Sequence, residues 1–383
     1  MNFSAQIPSA QALPQNTPAV PTPSAPLSKE NSNLDFLRTF AVLLVLFGHL
    51  FTFHQFLIIG PLNLNFMGAL GVMFFFVHTS LVLMLSLERQ HKDQGDTKLF
   101  MSFMIRRCFR IYPLSVAAIV LVVAFHLPLT AESYWHFQGI KPDGGDIFAN
   151  LFLVQNFSGR ISILGPMWSL PFEMDMYVFL PMLYLLLRPN RSIRRIALVW
   201  IIVVAFNLLF MFAEIKIASF FRFIPCFLAG VLAYQLQRSA YTRRVPAFLW
   251  PLWVAALAAS FLIWGDSPQS QWVICLLLGA AVPFFSRISA SWLVAASHFI
   301  AKYSYGIYLT HFFCIWFVLE RLGKLSALVK IPLFVAMAIG LPVLFYHLLE
   351  EPMIRVGQRV AKSYARAKRP SSPASAPLPA RLP

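Results

Sequence analysis

Charged residues are scarce in this sequence: they make up 12% of its 383 residues, while hydrophobic residues make up 58%. The mean hydropathy of +0.67 excludes a water-soluble globular domain of this length. Cysteines are also few, and the four present fall in or beside apolar segments without paired spacing. That pattern argues against a disulfide framework and a zinc site, so we predict no metal centre.

The charges that are present are mostly basic, with 31 Lys and Arg against 15 Asp and Glu. A net charge of +16 would suit nucleic acid if it formed one basic face on a soluble domain. Here the basic residues stand in short clusters between apolar runs, a pattern typical of membrane topology. We therefore predict a lipid bilayer as partner and no nucleic acid.

Apolar runs long enough to cross a bilayer recur along the chain. A hydrocarbon core of roughly 30 Å takes about 20 residues of helix. The sequence therefore predicts an all-α, polytopic integral membrane bundle of about ten transmembrane helices, near residues 36–59, 66–87, 111–128, 168–187, 196–213, 218–237, 247–264, 272–286, 303–322 and 331–349. Cytoplasmic placement of both termini puts 24 of the 31 basic residues inside, as the positive-inside rule requires. We predict a multi-pass protein of the inner cell membrane.

The two ends differ in composition from the middle. Residues 1–32 are Pro-rich and lack the basic start and apolar core of a signal peptide, which predicts a disordered tail. Residues 363–383 are basic and Pro-rich and predict a second one. Residues 33–362 then form a single membrane domain. The longest predicted external stretch, 129–167, carries Glu132, Asp143 and Asp146 and is either part of an acceptor site or a cap on the bundle.

The first predicted span carries two ionisable residues on one helical face. Arg38 and His49 are eleven positions apart. On an α-helix that spacing turns their side chains to within about 20° of the same direction and separates them by about 16 Å along the axis. Arg38 is expected near the cytoplasmic surface, beside Asp35, and His49 beyond the middle of the membrane. Ionisable residues inside a membrane are functional candidates. A snorkelling Arg38 and a His49 that hydrogen-bonds a neighbouring helix are the alternative interpretation.

Two later spans supply further candidates. Glu173 is expected about one and a half turns below the external surface, a depth comparable to that of His49. A carboxylate and an imidazole at one depth can act as a general base and its orienting partner. Trp168, just before, fits an interfacial aromatic belt better than a catalytic role. His311, in the ninth span with Tyr305, fits either a site or helix packing.

Three arginines precede the third span. Arg107 and Arg110 are three positions apart and Arg106 and Arg110 four apart, so two guanidinium groups can face one anion at the cytoplasmic surface. The alternative is a positive-inside cluster that binds lipid phosphates. A nucleotide-type cofactor would need such a clamp.

Taken together, these stretches resemble the acyltransferase-3 family, bacterial membrane O-acyltransferases that modify envelope and exported glycans. The matching motifs, in order, are Arg-then-ten-residues-then-His at Arg38 and His49, Arg-x-x-Arg at Arg107 and Arg110, Trp-Ser-Leu-x-x-Glu from Trp168 to Glu173, and Ser-Tyr-x-x-Tyr-Leu-x-His from Ser304 to His311. Four motifs in order at the expected spans make the resemblance specific.

The resemblance implies a mechanism. It implies acyl-CoA, and acetyl-CoA in particular, as a donor substrate with no permanently bound cofactor, its phosphates held by Arg107 and Arg110. His49, oriented by Glu173, would then be the base that activates a hydroxyl of an envelope or exported carbohydrate, in a direct transfer or by way of an acyl-enzyme. Arg38 would either steady the donor or hold the channel through Asp35. The length of the chain implies a member without a fused hydrolase-like domain.

One stretch departs from the family pattern. Where the family usually reads Leu-Ser-Gly in the second span, this chain has His78, Thr79 and Ser80. Since Ser is small, close helix packing is expected to survive, whereas His78 adds a polar group whose effect on the donor channel the sequence leaves open.

Two other function classes fit parts of the pattern. In a proton-coupled secondary transporter, Arg38, His49, Glu173 and His311 would form a path for protons or substrate. Transporters commonly show inverted repeats and helices broken at mid-membrane, and neither is evident. The cytoplasmic arginine pair favours the transferase, and a non-catalytic assembly subunit would have no use for buried charges.

Overall fold

The computed structural model describes residues 31–54, 57–127, 141–187, 192–214, 221–237 and 244–366. Nearly all of these residues are helical, which confirms the predicted all-α fold. The α-helices are α1 (Ser32–Phe53), α2 (Met67–Gln94), α3 (Asp96–Ala124), α4 (Gly144–Phe152), α5 (Gln155–Ser158), α6 (Leu170–Leu187), α7 (Ile193–Phe212), α8 (Ile224–Leu236), α9 (Leu249–Trp264), α10 (Pro268–Ala281), α11 (Ser291–Ile315), α12 (Ala327–Phe345) and α13 (Glu351–Arg366).

Short elements connect these helices. Two antiparallel strands, β1 (Ile58–Ile59) and β2 (Leu62–Asn63), precede α2, with Ile58 paired to Asn63. Turns of 3₁₀ helix lie at Leu64–Phe66, Gly165–Ser169 and Val282–Phe284, and π-helical turns at Trp316–Arg321 and Tyr346–Glu350. π-helical turns are rare and often occur at functional sites.

Within the described residues, six helical runs are long and apolar enough to cross a membrane: Ser32–Phe53, Leu64–Asp93, Asp96–Ala124, Gly165–Leu187, Ile193–Phe212 and Ala327–Arg366. Helices α8, α9 and α10 are apolar but shorter. Each predicted span overlaps a helix, and the chain is a multi-pass membrane protein. The figure of ten crossings and the cytoplasmic side of both termini stay predictions.

The arginine cluster lies inside a helix and not in a loop. Hydropathy places the third span at 111–128, but α3 begins at Asp96, directly after Gly95. Gly95 has a φ of +74°, a conformation that glycine adopts without steric cost and that separates α2 from α3. The polar first half of α3 escapes a hydropathy window because that window detects only the apolar part of a helix.

Small residues bring the central helices together. A Cβ on Gly71 would lie 2.5 Å from the carbonyl oxygen of Ala41, and one on Gly230 would lie 2.1 Å from Ser80 Oγ. Ser80 is fully buried and donates to the carbonyl of Phe76, 2.8 Å away. Close packing therefore survives the departure at Ser80, since Gly230 of α8 accommodates it.

The outer helices present an apolar surface. On α7, for example, Phe212 is 91% exposed and on α12 Leu328 is 86% exposed. An exposed apolar surface of this extent is typical of contact with lipid. The functional side chains must accordingly be sought between the inner helices.

Helix α13 is amphipathic and lies on α3. A Cβ on Gly357 would lie 2.5 Å from Phe109 Cβ, and Lys98 Nζ donates to the carbonyl of Ala365 at 2.6 Å. Helix α13 continues to Arg366, four residues past the predicted end of the membrane domain at 362. Apart from 31–32 and 363–366, the two predicted tails lie outside the described residues, as does Glu132.

Candidate functional site

A narrow cavity of about 70 Å³ lies among α1, α2, α3, α6 and α11. We name it the arginine cavity because three guanidinium groups line it, Arg38 from α1 and Arg107 and Arg110 from α3. Its other polar lining residues are His78, Thr79, Ser169, Glu173, Tyr177, Ser304, Tyr305 and Tyr308. Since roughly 10–15 Å³ of such space holds one water, the cavity accommodates a slender group and not a nucleotide base.

Two carboxylates face the three guanidinium groups. Glu173 accepts a hydrogen bond from the Tyr177 hydroxyl and interacts electrostatically with Arg38 and Arg107. Glu350, which is 1% exposed, interacts with Arg110 and Arg38. Three cations against two anions leave this part of the bundle net positive, which favours an anionic ligand.

Arg38 is fixed by the ninth predicted span. Its Nε donates to Ser304 Oγ at 2.5 Å, and Ser304 Oγ donates in turn to the carbonyl of Ala301 at 2.9 Å. The neighbouring Tyr305 hydroxyl donates to the carbonyl of Ile111 at 2.8 Å, which ties α11 to α3. Two motifs 266 residues apart in the chain thus meet in one cavity.

Two of the three arginines predicted for the clamp line the arginine cavity. Arg107 and Arg110 line the cavity, whereas Arg106 is absent from its lining and interacts electrostatically with Asp93. Arg107 lies over the Phe103 ring at 5.4 Å, and its buried Nε has no hydrogen-bond partner among the described residues. Asp35 pairs with His298 at 3.0 Å and does not line the cavity.

A second cavity, of about 380 Å³, contains His49. We name it the histidine cavity; its polar lining residues are His49, Thr52, Asn65, Trp168, Asp266 and Tyr308. His49 packs closely on α2, since a Cβ on Gly68 would lie 3.3 Å from its imidazole Cε1. Hydroxyl, amide and carboxylate groups around one imidazole suit a ligand that carries hydroxyls.

His49 hydrogen-bonds His311, not Glu173. His49 Nδ1 lies 2.8 Å from the carbonyl oxygen of Val45 and 3.2 Å from His311 Nε2. A carbonyl only accepts, so Nδ1 of His49 carries the proton and Nε2 is the basic nitrogen. His311 Nδ1 lies 3.2 Å from the carbonyl of Ile307, which leaves its Nε2 as the acceptor from His49.

Glu173 and His49 line different cavities, so the pairing that we predicted from their depths is not the one in the structure. Equal depth along two helices does not make them neighbours. Helix α11 packs beside α1 and supplies His311, and α6 turns Glu173 toward Tyr177 and the arginines.

The two cavities share a wall made of Val72 and Tyr308. Tyr308 donates its hydroxyl to the carbonyl of Pro166 at 2.7 Å and lies 2.8 Å from Ser169 Oγ. Along α2 the arginine cavity runs from Leu83 to Val72, eleven residues and about 16 Å. It ends one turn before Gly68, on which His49 packs. The cavity that contains the arginines and the cavity that contains the basic imidazole therefore adjoin at Val72 and Tyr308.

The sequence profile of the acyltransferase-3 family, described as an acyltransferase domain, matches residues 31–347. This chain belongs to the acyltransferase-3 family. It is accordingly a membrane acyltransferase, and the motifs that carry the resemblance meet around the two cavities. No curated protein and no solved structure matches the chain significantly.

Sequence reasoning missed three polar residues of this acyltransferase's histidine cavity, Thr52, Asn65 and Asp266. The charged one is Asp266. Its Oδ1 accepts a hydrogen bond from Gln271 Nε2 at 2.5 Å, and Gln271 Oε1 accepts one from Arg222 Nε at 3.2 Å. A single acidic residue in the turn between α9 and α10 forms no recognisable motif. Trp168, for which the sequence favours an aromatic belt, lines the histidine cavity and packs against Phe223.

Asp143 and Asp146, by contrast, cap a helix. Each accepts a hydrogen bond from the other's backbone N–H in a capping box at the start of α4, and Arg160 lies 2.6 Å from Asp143 Oδ2. The Asp146 backbone N–H and the Arg160 guanidinium lower the pKa of Asp143. These contacts stabilise the N-terminus of α4, and neither carboxylate lines the arginine cavity or the histidine cavity.

Proposed function

We propose that this acyltransferase transfers an acetyl group from acetyl-CoA to a hydroxyl of an envelope or exported carbohydrate, with His49 as general base. The observation that carries the proposal is the shared wall of Val72 and Tyr308 between a cation-lined cavity and one that contains a basic imidazole. One cavity suits the phosphates of a donor, the other a neutral, hydroxylated acceptor.

The donor is held at the arginine end. CoA carries phosphates at one end of a slender arm and the thioester at the other. Guanidinium groups bind phosphate through paired hydrogen bonds, and Arg107 and Arg110 line the same cavity as Val72 and Tyr308 of the wall. With both termini cytoplasmic, as predicted, this end opens to the side on which acetyl-CoA is made.

The reaction follows from the tautomer of His49. With Nδ1 protonated and bonded to Val45 and His311, Nε2 removes the proton from the acceptor hydroxyl as its oxygen attacks the thioester carbonyl. The new C–O bond forms, the C–S bond breaks, and the imidazolium returns the proton to the departing CoA thiolate. His311 is then a positioning residue, because it touches His49 and not the reacting atoms.

The separation of the ionisable groups weakens the transporter alternative. A proton path needs linked ionisable groups across the bundle, whereas Glu173 and His49 line different cavities with Val72 and Tyr308 between them.

Mass spectrometry of glycans tests the proposal. Envelope and secreted glycans are compared among cells with the wild-type gene, with His49→Ala at equal expression, and without the gene. We expect one glycan to carry the additional mass of acetyl groups only with the wild type. Glycans that are identical in all three strains, together with purified protein that neither binds acetyl-CoA nor releases CoA from it, would contradict the proposal.

A further inference from the structure

His78 occupies the arginine cavity at the point where the chain departs from its family. It lies on α2, lines the cavity and is 4% exposed. It interacts electrostatically with Arg38 and Arg110. The sequence left the purpose of this added polar group open.

The imidazole is incompletely satisfied. Its buried Nδ1 has no hydrogen-bond partner among the described residues. Leaving such a nitrogen unpaired destabilises a folded protein measurably, and buried polar groups of this kind are few. A leucine at this position would avoid the cost, so an imidazole here indicates a group supplied from outside the chain.

The position of His78 indicates which group that is. Along α2, His78 lies five residues from Leu83, a rise of about 8 Å, and six residues from Val72 at the wall, a rise of about 9 Å. A donor whose phosphates rest on Arg107 and Arg110 and whose thioester reaches Val72 and Tyr308 passes His78, which lines the same cavity. The polar groups midway along CoA are the two amides of its pantetheine arm.

We propose that His78 is a donor-binding residue whose Nδ1 forms a hydrogen bond with an amide of the pantetheine arm, between the phosphate clamp and the thioester. This inference rests on the proposed function, since it assumes a CoA donor in the arginine cavity. An imidazole nitrogen can accept from an amide N–H or donate to an amide carbonyl, so either tautomer serves.

Three substitutions isolate the contribution of Nδ1. His78→Leu keeps the volume and removes both nitrogens, His78→Asn keeps a polar atom near Nδ1, and His78→Gln places its amide near Nε2 instead. Affinities are measured for acetyl-CoA and for adenosine 3′,5′-bisphosphate, which has phosphates but no pantetheine arm. Thermal unfolding of each purified variant is recorded alongside.

We expect His78→Leu to weaken acetyl-CoA binding about 3- to 10-fold, the effect of one hydrogen bond, without changing the affinity for the bisphosphate. His78→Asn should restore most of the loss and His78→Gln little of it. The unfolding temperature of His78→Leu should equal or exceed that of the wild type, because an unsatisfied buried group is removed.

Two results would overturn the inference: unchanged acetyl-CoA affinity in His78→Leu, or equal weakening of acetyl-CoA and the bisphosphate. Failure of the proposed function is distinguishable, because then the wild type itself would not bind acetyl-CoA. A lower unfolding temperature in His78→Leu with normal acetyl-CoA affinity would assign His78 to packing alone.

Discussion

The arginine cavity and the histidine cavity adjoin, yet their chemistry differs. The first is narrow and is lined by three guanidinium groups and the carboxylate of Glu173, while the second is larger, and its imidazole is held by the carbonyl of Val45 and by His311. A dense set of charges binds an anion well, whereas a base must stay unprotonated and within reach of a neutral hydroxyl. Under the proposed function, separating the two along α2 lets each site meet its own requirement.

The largest expected effect belongs to the histidine cavity. His49→Ala should lower the turnover number by about 10²–10⁴, the usual contribution of a general base, and should leave the affinity for acetyl-CoA unchanged. Steady-state kinetics with acetyl-CoA checks this, with His54→Ala, at the exposed end of the same helix, as a matched control. Wild-type turnover in a folded His49→Ala protein would remove His49 as the base.

The next effect belongs to the arginine cavity. Arg110→Ala should raise the KM for acetyl-CoA about 10- to 100-fold, as expected for loss of a charge-assisted hydrogen bond, and change the acceptor KM much less. Arg110→Lys should rescue only in part, because lysine lacks the guanidinium fork.

Arg106→Ala is the control for that measurement, since Arg106 lies on the same helix but outside the cavity lining. It should change the donor KM little. If Arg106→Ala and Arg110→Ala had equal effects, or if Arg110→Lys behaved as the wild type, the arginines would serve topology and not donor binding.

A smaller effect is expected at His311. His311→Leu removes the acceptor for the His49 Nδ1 proton, while Val45 still holds the same tautomer, so turnover should fall about 3- to 10-fold. His311→Gln retains an acceptor oxygen and should recover most of the rate. Kinetics that separate kcat from KM decide the matter: a positioning role changes kcat and not the donor KM, and failure of rescue by Gln would contradict it.

The smallest effect is expected at the wall. Tyr308→Phe removes the hydrogen bonds to Pro166 and Ser169 but keeps the ring between the cavities. Turnover should change by less than about 10-fold, the scale of one or two neutral hydrogen bonds. A loss of turnover as large as that in His49→Ala would mean that the Tyr308 hydroxyl takes part in the reaction. Tyr308 would then be more than a residue that separates the two cavities.

The sequence predicts where the helices lie along the chain better than it predicts which helices pack against each other. Hydropathy locates each apolar run because burial in lipid demands it, yet it misses the polar first half of α3 because that half is not apolar. Positions on one helix, such as Arg38 and His49, follow from helical geometry.

Which helices pack against α1 depends on tertiary contacts, and no local sequence pattern encodes them. Close contacts at Gly71 and Gly48 are examples. Depth alone therefore predicts Glu173 as the partner of His49. In the structure the partner is His311, which α11 supplies. Asp266 was missed for a related reason, since one acidic residue in a turn becomes a cavity residue only through its neighbours in space.

Direct binding of acetyl-CoA to purified wild type, His49→Ala and Arg110→Ala tests the division of labour most directly. We predict that His49→Ala binds acetyl-CoA with wild-type affinity and that Arg110→Ala binds it about 10- to 100-fold more weakly. Weakened binding in His49→Ala with normal binding in Arg110→Ala would contradict the assignment of donor recognition to the arginine cavity.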